Sequence, residues 1–156
     1  MVERVVLASF TEFVRETEPR LKLAMCAAFG PETGVEGTAH ALAYGWEHWE
    51  RVSALPNPAG YLWGVGRNHA RRLTRRRRRT ALFESVPVDD LPWVEPALPS
   101  ALARLTERQR VSVLLVCGLD WTLGEVADLL GIAVPTVQKH VERGMGHLRR
   151  ELGVQT

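Results

Sequence analysis

A chain of 156 residues, 46% hydrophobic and 24% charged, has the composition of folded soluble protein and the length of one ordinary domain or two small helical ones. No apolar run approaches the ~20 residues that span a bilayer, and no basic segment leads into one at the N-terminus; neither a membrane contact nor a secretory leader is expected, and the location expected is cytoplasmic. The net charge of +2 hides a sharp asymmetry, because residues 61–80 hold eight arginines and no acid while residues 81–100 hold four acids and no base, so one segment is built to meet a polyanion.

In chain order, residues 3–29 read as helical. Val6, Phe10, Phe13 and Val14 recur at helical spacing. Pro19 fits the first turn of a second helix, capped by Thr17 or Glu18, that carries Leu21, Leu23, Ala24, Ala27 and Ala28 and ends near Gly30-Pro31. Gly34 and Gly37 mark a turn-rich segment, followed by a helix over Thr38–Val52 with Leu42, Trp46 and Trp49 on or near one face. Leu55-Pro56-Asn57-Pro58 breaks the pattern. Asn57 suits an N-cap and Pro58 a first helical position, and the next helix runs into the arginine run, Arg67 to Arg79, with Tyr61, Leu62, Val65 and Leu73 turned inward. Residues 80–99 read as an extended linker, with Pro87, Pro92, Pro96 and Pro99 set among Glu84, Asp89, Asp90 and Glu95. The expected fold is therefore all-α, with helical domains over residues 1–79 and 100–152; a short helix from Ala97 or Ser100 to Leu105 opens the second.

Thr106 with Gln109, and Thr122 with Glu125, have the spacing of capping boxes. The first opens a helix carrying Val111, Val113, Leu114, Leu115 and Val116 to Gly118; the second opens a short helix with Val126, Ala127, Leu129 and Leu130, stopped by Gly131. Pro135 starts a last helix with Val137, Val141, Met145 and Leu148 inward. A small residue at Ala127 and a glycine able to take positive φ at Gly131 describe a helix-turn-helix. Its outer face would carry Thr136, Gln138, Lys139, His140 and Arg143, donors suited to base edges and phosphates in a major groove. Ala133 and Val134 stand where a Ser or Asp cap is usual.

The arginine helix is a second nucleic-acid element. Tyr61, Trp63, Arg67, Asn68, Arg71, Arg72, Arg75 and Arg76 combine stacking rings with phosphate-binding cations, a set suited to partly unstacked single strands; alone, such a run also fits a solvated helix end or an RNA-binding tail. Cys26 and Cys117 sit in apolar stretches and are expected as buried thiols. His40 and His48 lie two turns apart, too far to share an ion, and Glu47 diverges from His48, so no metal is expected. His69 and His147 are expected to meet phosphate or solvent. No nucleophile–base pair and no phosphate-cradling glycine loop is present, so neither an enzyme nor a cofactor is expected.

These motifs, in this order, resemble the sigma-70 family of RNA polymerase sigma factors, in its short two-domain extracytoplasmic-function form. The resemblance rests on Phe10–Val14, Trp46–Val52, Asn57–Trp63 with Arg67-Asn68, Leu105–Arg110, Glu125-Val126-Ala127, Leu130-Gly131-Ile132, Thr136-Val137-Gln138 and Leu148-Arg149. It implies a protein that delivers RNA polymerase core to promoter DNA. The helix around Glu36, Trp46, Glu47, Trp49 and Glu50 would dock on polymerase, and the loop over Val52–Asn57 would hold a flipped −10 base. The arginine helix would open the duplex, and the helix-turn-helix would read the −35 element. An anti-sigma protein is a further partner in the family, though no residue here demands one. Two departures stand out: only Glu36 is charged within residues 34–40, where the family has an acidic patch, and Gln138 and Lys139 replace the usual residues of the recognition helix. Two alternatives remain: a LuxR-like DNA-binding regulator, which Thr136–Val141 also resembles, and a degenerate sigma-like scaffold that binds polymerase without starting transcription.

Overall fold

In the computed structural model, residues 1–76 and 97–154 are described; Arg77–Arg79 of the arginine run and residues 80–96 of the expected linker lie outside them. All regular structure among the described residues is helical. The elements are α1 (Val2–Phe29), α2 (Pro31–Glu47), α3 (Trp49–Ser53), α4 (Pro58–Arg76), α5 (Leu98–Arg104), α6 (Glu107–Val113), α7 (Leu123–Leu130) and α8 (Val134–Leu152), and α6 widens at its end into a π turn over Leu114–Gly118.

The first thirty residues depart from the expected pair of helices. α1 runs unbroken through Pro19. An internal proline costs about 3 kcal/mol, and the continuous helix offsets it by burying Leu21, Ala24, Met25 and Ala28 completely, with about 1.5–3 kcal/mol from each of the larger side chains. Gly34 and Gly37 belong to α2 and form no turn. A Cβ at Gly34 would stand 2.5 Å from the Cys26 Cα, so the glycine lets α1 and α2 touch backbone to backbone. The expected helix over Thr38–Val52 is interrupted at His48 (φ −119°), which separates α2 from α3. Cys26 is half-buried and Cys117 exposed; the π turn rotates Cys117 away from the core-facing side that Leu115 occupies.

α1, α2 and α4 pack around Leu21, Met25, Ala41, Val52, Leu62, Trp63 and Ala70. Phe10 and Phe13 close one end against Trp49, with ring centroids 5.2 and 4.8 Å apart. α6, α7 and α8 do not form a separate core beside this one: Val111, Leu115, Val126, Ala127, Leu129 and Val137 join the same buried cluster. A smaller cluster seats α5 on α8 through Ala101, Leu102, Leu105, Val113 and Leu148.

Polar contacts reinforce this closure. Arg110, 5% exposed, donates from Nε to the Ala28 carbonyl at 3.1 Å and from Nη1 to the Leu105 carbonyl at 3.0 Å, with Nη2 also on Ala28. Ala28 lies in the last turn of α1, where carbonyls have no intrahelical partner, so a cation from α6 caps the negative end of α1. Burial pushes the Arg110 pKa below its usual value and Glu107 opposes the shift. Arg20 of α1 reaches Glu125 of α7 at 3.3 Å and lies over the Trp121 ring, 4.3 Å from its centroid.

Candidate nucleic-acid interface

The helix-turn-helix forms by the devices its sequence announces. Thr122 accepts from the Glu125 N–H at 3.1 Å, and Glu125 returns the bond to the Thr122 N–H at 2.8 Å. That backbone bond is also the main reason the Glu125 carboxyl is held below its ordinary range. Gly131 takes the left-handed conformation, φ 66° and ψ 36°, and the Ile132 N–H then closes on the Ala127 carbonyl at 3.1 Å. Val137 is fully buried under α8. At Gly144 a Cβ would lie 2.6 Å from Val113 Cγ2, so α8 crosses α6 at a site with no room for a side chain.

This packing fixes which way α8 faces. Gln138, Lys139 and Arg143 are exposed, whereas Thr136 and His140, also expected on the outer face, are half-buried at its borders. Gln138 Nε2 donates to Glu142 Oε1 at 3.3 Å. Burial first, and Arg108 and Arg143 next, hold the His140 pKa below the usual histidine value. Its buried Nε2 has no hydrogen-bond partner.

α4 presents two basic stripes. Tyr61, Asn68, Arg72, Arg75 and Arg76 are exposed and recur at intervals of three, four and seven, one side of the helix. Arg67 and Arg71, one turn apart on the neighbouring stripe, both point at α6. Arg67 Nε donates to Glu107 Oε1 at 2.8 Å and Arg71 Nε to Oε2 at 2.9 Å. Trp63 corrects the sequence expectation: it is 3% exposed and part of the core, so no face of its ring is open to a base. The error came from the local pattern Tyr-Leu-Trp, in which either aromatic could have faced outward; Tyr61, expected inward, is the exposed one. His69 does not meet solvent alone but stacks on His40, centroids 3.9 Å apart and planes 3° from parallel.

At the start of α4, Asn57 caps the helix by accepting from the Gly60 N–H at 3.0 Å. Its side-chain amide donates to the Asp128 carbonyl of α7 at 2.5 Å. Beside it Arg51 of α3 reaches the hydroxyls of Tyr44 and Tyr61, its guanidinium 5.9 and 5.8 Å from their ring centroids. The Tyr44 and Tyr61 hydroxyls also lie 3.3 Å apart, and hydrogen bonding to Tyr44 first, then to Arg51, lowers the Tyr61 pKa. Tyr44, Arg51 and Glu107 were not recognised from the sequence, because nothing in their local spacing shows that distant elements bring partners to them.

The expected polymerase-facing residues divide as well. Trp46, 46% exposed, and the exposed Glu47 and Glu50 lie around the junction of α2 and α3, with the half-buried Glu36 farther up α2. Trp49 is 7% exposed and packs against Phe10 and Phe13. Among the described residues, no group of three metal-ligating side chains occurs and no helix is long and apolar enough to cross a membrane.

Residues 96–148 match the model of sigma-70, region 4. No curated protein sequence matches the chain. Among solved structures, the chain is similar to the sigma factor RpoE from Bartonella quintana, seen in complex with the anti-sigma factor NepR, at 18% identity and a TM-score of 0.62, covering 95% of this chain and 99% of that one. Residues 96–148, from the start of α5 into α8, thus carry a sigma-70 region 4, and the chain shares the fold of that sigma factor over nearly its whole length.

Proposed function

We propose that the chain acts by binding rather than catalysis: in the cytoplasm it carries RNA polymerase core to promoters and starts transcription there as a sigma factor. Residues 100–152 work as the unit that reads the −35 element, through Thr136, Gln138, Lys139, His140 and Arg143 on α8. Residues 1–79 work as the unit that reads and opens the −10 element, with phosphate contacts from Arg67, Arg71, Arg72, Arg75 and Arg76 and with Tyr61 and Asn68 toward the unpaired strand. Polymerase docks on the surface around Glu36, Trp46, Glu47 and Glu50. The observation that carries this reading is the pairing of an exposed donor face on a region 4 recognition helix with an exposed aromatic and arginine stripe on α4. The capture of RpoE by NepR on the same fold supports an anti-sigma protein as a further partner.

Run-off transcription with core polymerase and genomic fragments tests the proposal. Discrete transcripts that depend on the chain are expected. Polymerase binding with no transcript from any fragment would favour the scaffold alternative, and dimeric binding to a palindrome without polymerase the LuxR-like one.

A further inference from the structure

The arginine pair on α4 is already engaged. Both oxygens of Glu107 are used, one by Arg67 Nε and one by Arg71 Nε, with a second, longer bond from Arg71 Nη2 to Oε1 at 3.4 Å. The Glu107 side chain is 19% exposed and that of Arg67 22%, so this ion pair is shielded from solvent more than an ordinary surface one, while Arg71 is 41% exposed. A carboxylate gripped by two guanidinium groups offers them the charge and the paired oxygens that a backbone phosphate would. One end of α4 farther on, the Asp128 carbonyl occupies the side-chain amide of Asn57, at the loop that precedes the helix. The helix-turn-helix half thus covers two parts of the surface assigned above to DNA.

Distance makes the same point independently. Elements centred near −10 and −35 lie about 85 Å apart along B-form DNA, at ~3.4 Å per base pair. A folded chain of this length has a radius of gyration of about 15 Å, and here the two halves share one buried cluster. Closed in this way, the chain cannot place α4 and α8 on both elements at once. About twenty residues of chain join Arg76 to Ala97, a contour of at most about 70 Å, which covers that distance only when the halves part and their own width is added to it.

We propose that Glu107 is an internal stand-in for DNA phosphate: Arg67 and Arg71 hold either Glu107, which keeps the chain closed, or the DNA backbone, which releases the helix-turn-helix half to reach the upstream element. This rests on the assignment of α4 to DNA. Closure and DNA binding at α4 are then mutually exclusive states of one surface, and anything that favours closure lowers DNA affinity by the same factor that DNA favours opening.

The test uses the full chain with Glu107→Gln, which keeps side-chain size and removes the charge, and Glu12→Gln as an exposed control for net charge. A labelled DNA of arbitrary sequence, part duplex and part single strand, is titrated by anisotropy, and small-angle scattering gives the radius of gyration of the free proteins. Glu107→Gln should bind about five- to thirtyfold more tightly than Glu12→Gln, a typical coupling between two sites, and should have a larger radius than wild type. An unchanged radius would overturn the clamp. A larger radius with affinity equal to the control would show that Arg67 and Arg71 do not meet DNA, overturning both the competition and their assignment to the −10 element. If the variant does not fold, the wild-type chain decides: its DNA complex should be extended, and a complex that stays compact overturns the proposal.

Discussion

The two basic helices, α4 and α8, meet the rest of the molecule in opposite ways. α8 buries Val137 and Leu148 and turns Gln138, Lys139 and Arg143 to solvent, so its polar side stands clear of the other half. α4 keeps only one of its two basic stripes open, because Arg67 and Arg71 are held by Glu107. The contrast teaches that arginine count is a poor measure of DNA-binding capacity in a closed chain. What matters is which cations the fold has already paired, since a carboxylate that satisfies both oxygens on two guanidinium groups must be displaced before phosphate can replace it.

The largest effect should come from the residue that joins the halves. Arg110→Ala removes the cap on the Ala28 carbonyl and leaves a void beside Val111, and should cost about 2–4 kcal/mol in urea unfolding; a loss below 0.5 kcal/mol would mean that the cap is dispensable and the closure is apolar. Next, Gln138→Ala and Arg143→Ala should change which upstream sequence is preferred, at about 1–3 kcal/mol for a true base contact. Selection from a randomised library checks this, and an unchanged preference would remove α8 from recognition. Smaller and sequence-independent, Arg72→Ala should weaken DNA binding and lower the salt slope by about one unit per lost phosphate contact. Arg71→Ala should weaken it less, because the same change frees the α6 half from one of its two guanidinium partners. Equal losses at the two positions would erase the distinction between the open and occupied stripes.

The smallest effect is a pH dependence. Burial first, then His40 and Arg72, hold the His69 pKa below the ordinary histidine value of 6.5, and His140 shifts the same way. The unfolded chain therefore takes up these protons more readily than the folded one, so stability is full above pH ~6.5 and is lost as pH falls through the lower folded values. Tm should drop between pH 7 and 5, and His69→Gln should shallow that drop; an identical slope would mean that other groups titrate there.

Much of the C-terminal half was legible because its signals are local. Two capping boxes, a left-handed Gly131 and a proline at the start of α8 each act within one turn of chain, and each takes the form expected of it. The N-terminal half was harder to read. Pro19, Gly34 and Gly37 are breakers by local rule, yet α1 and α2 run through them, because helix-to-helix burial outweighs a local penalty and because glycine also serves close approach. The candidate sites divide along the same line: the outer face of α8 follows from its inward apolar positions, whereas the choice between Tyr61 and Trp63 depended on where the core lies.

The sequence by itself determined the helical class, the helix-turn-helix and the concentration of positive charge in one segment, since hydrophobic period, capping and composition are properties of neighbouring residues. Only the tertiary structure decided that both halves share one core, that Arg110 ends α1 and that Glu107 occupies Arg67 and Arg71. Those pairs are joined across 36 to 82 residues, and no local spacing encodes which distant carboxylate or carbonyl a given arginine will meet.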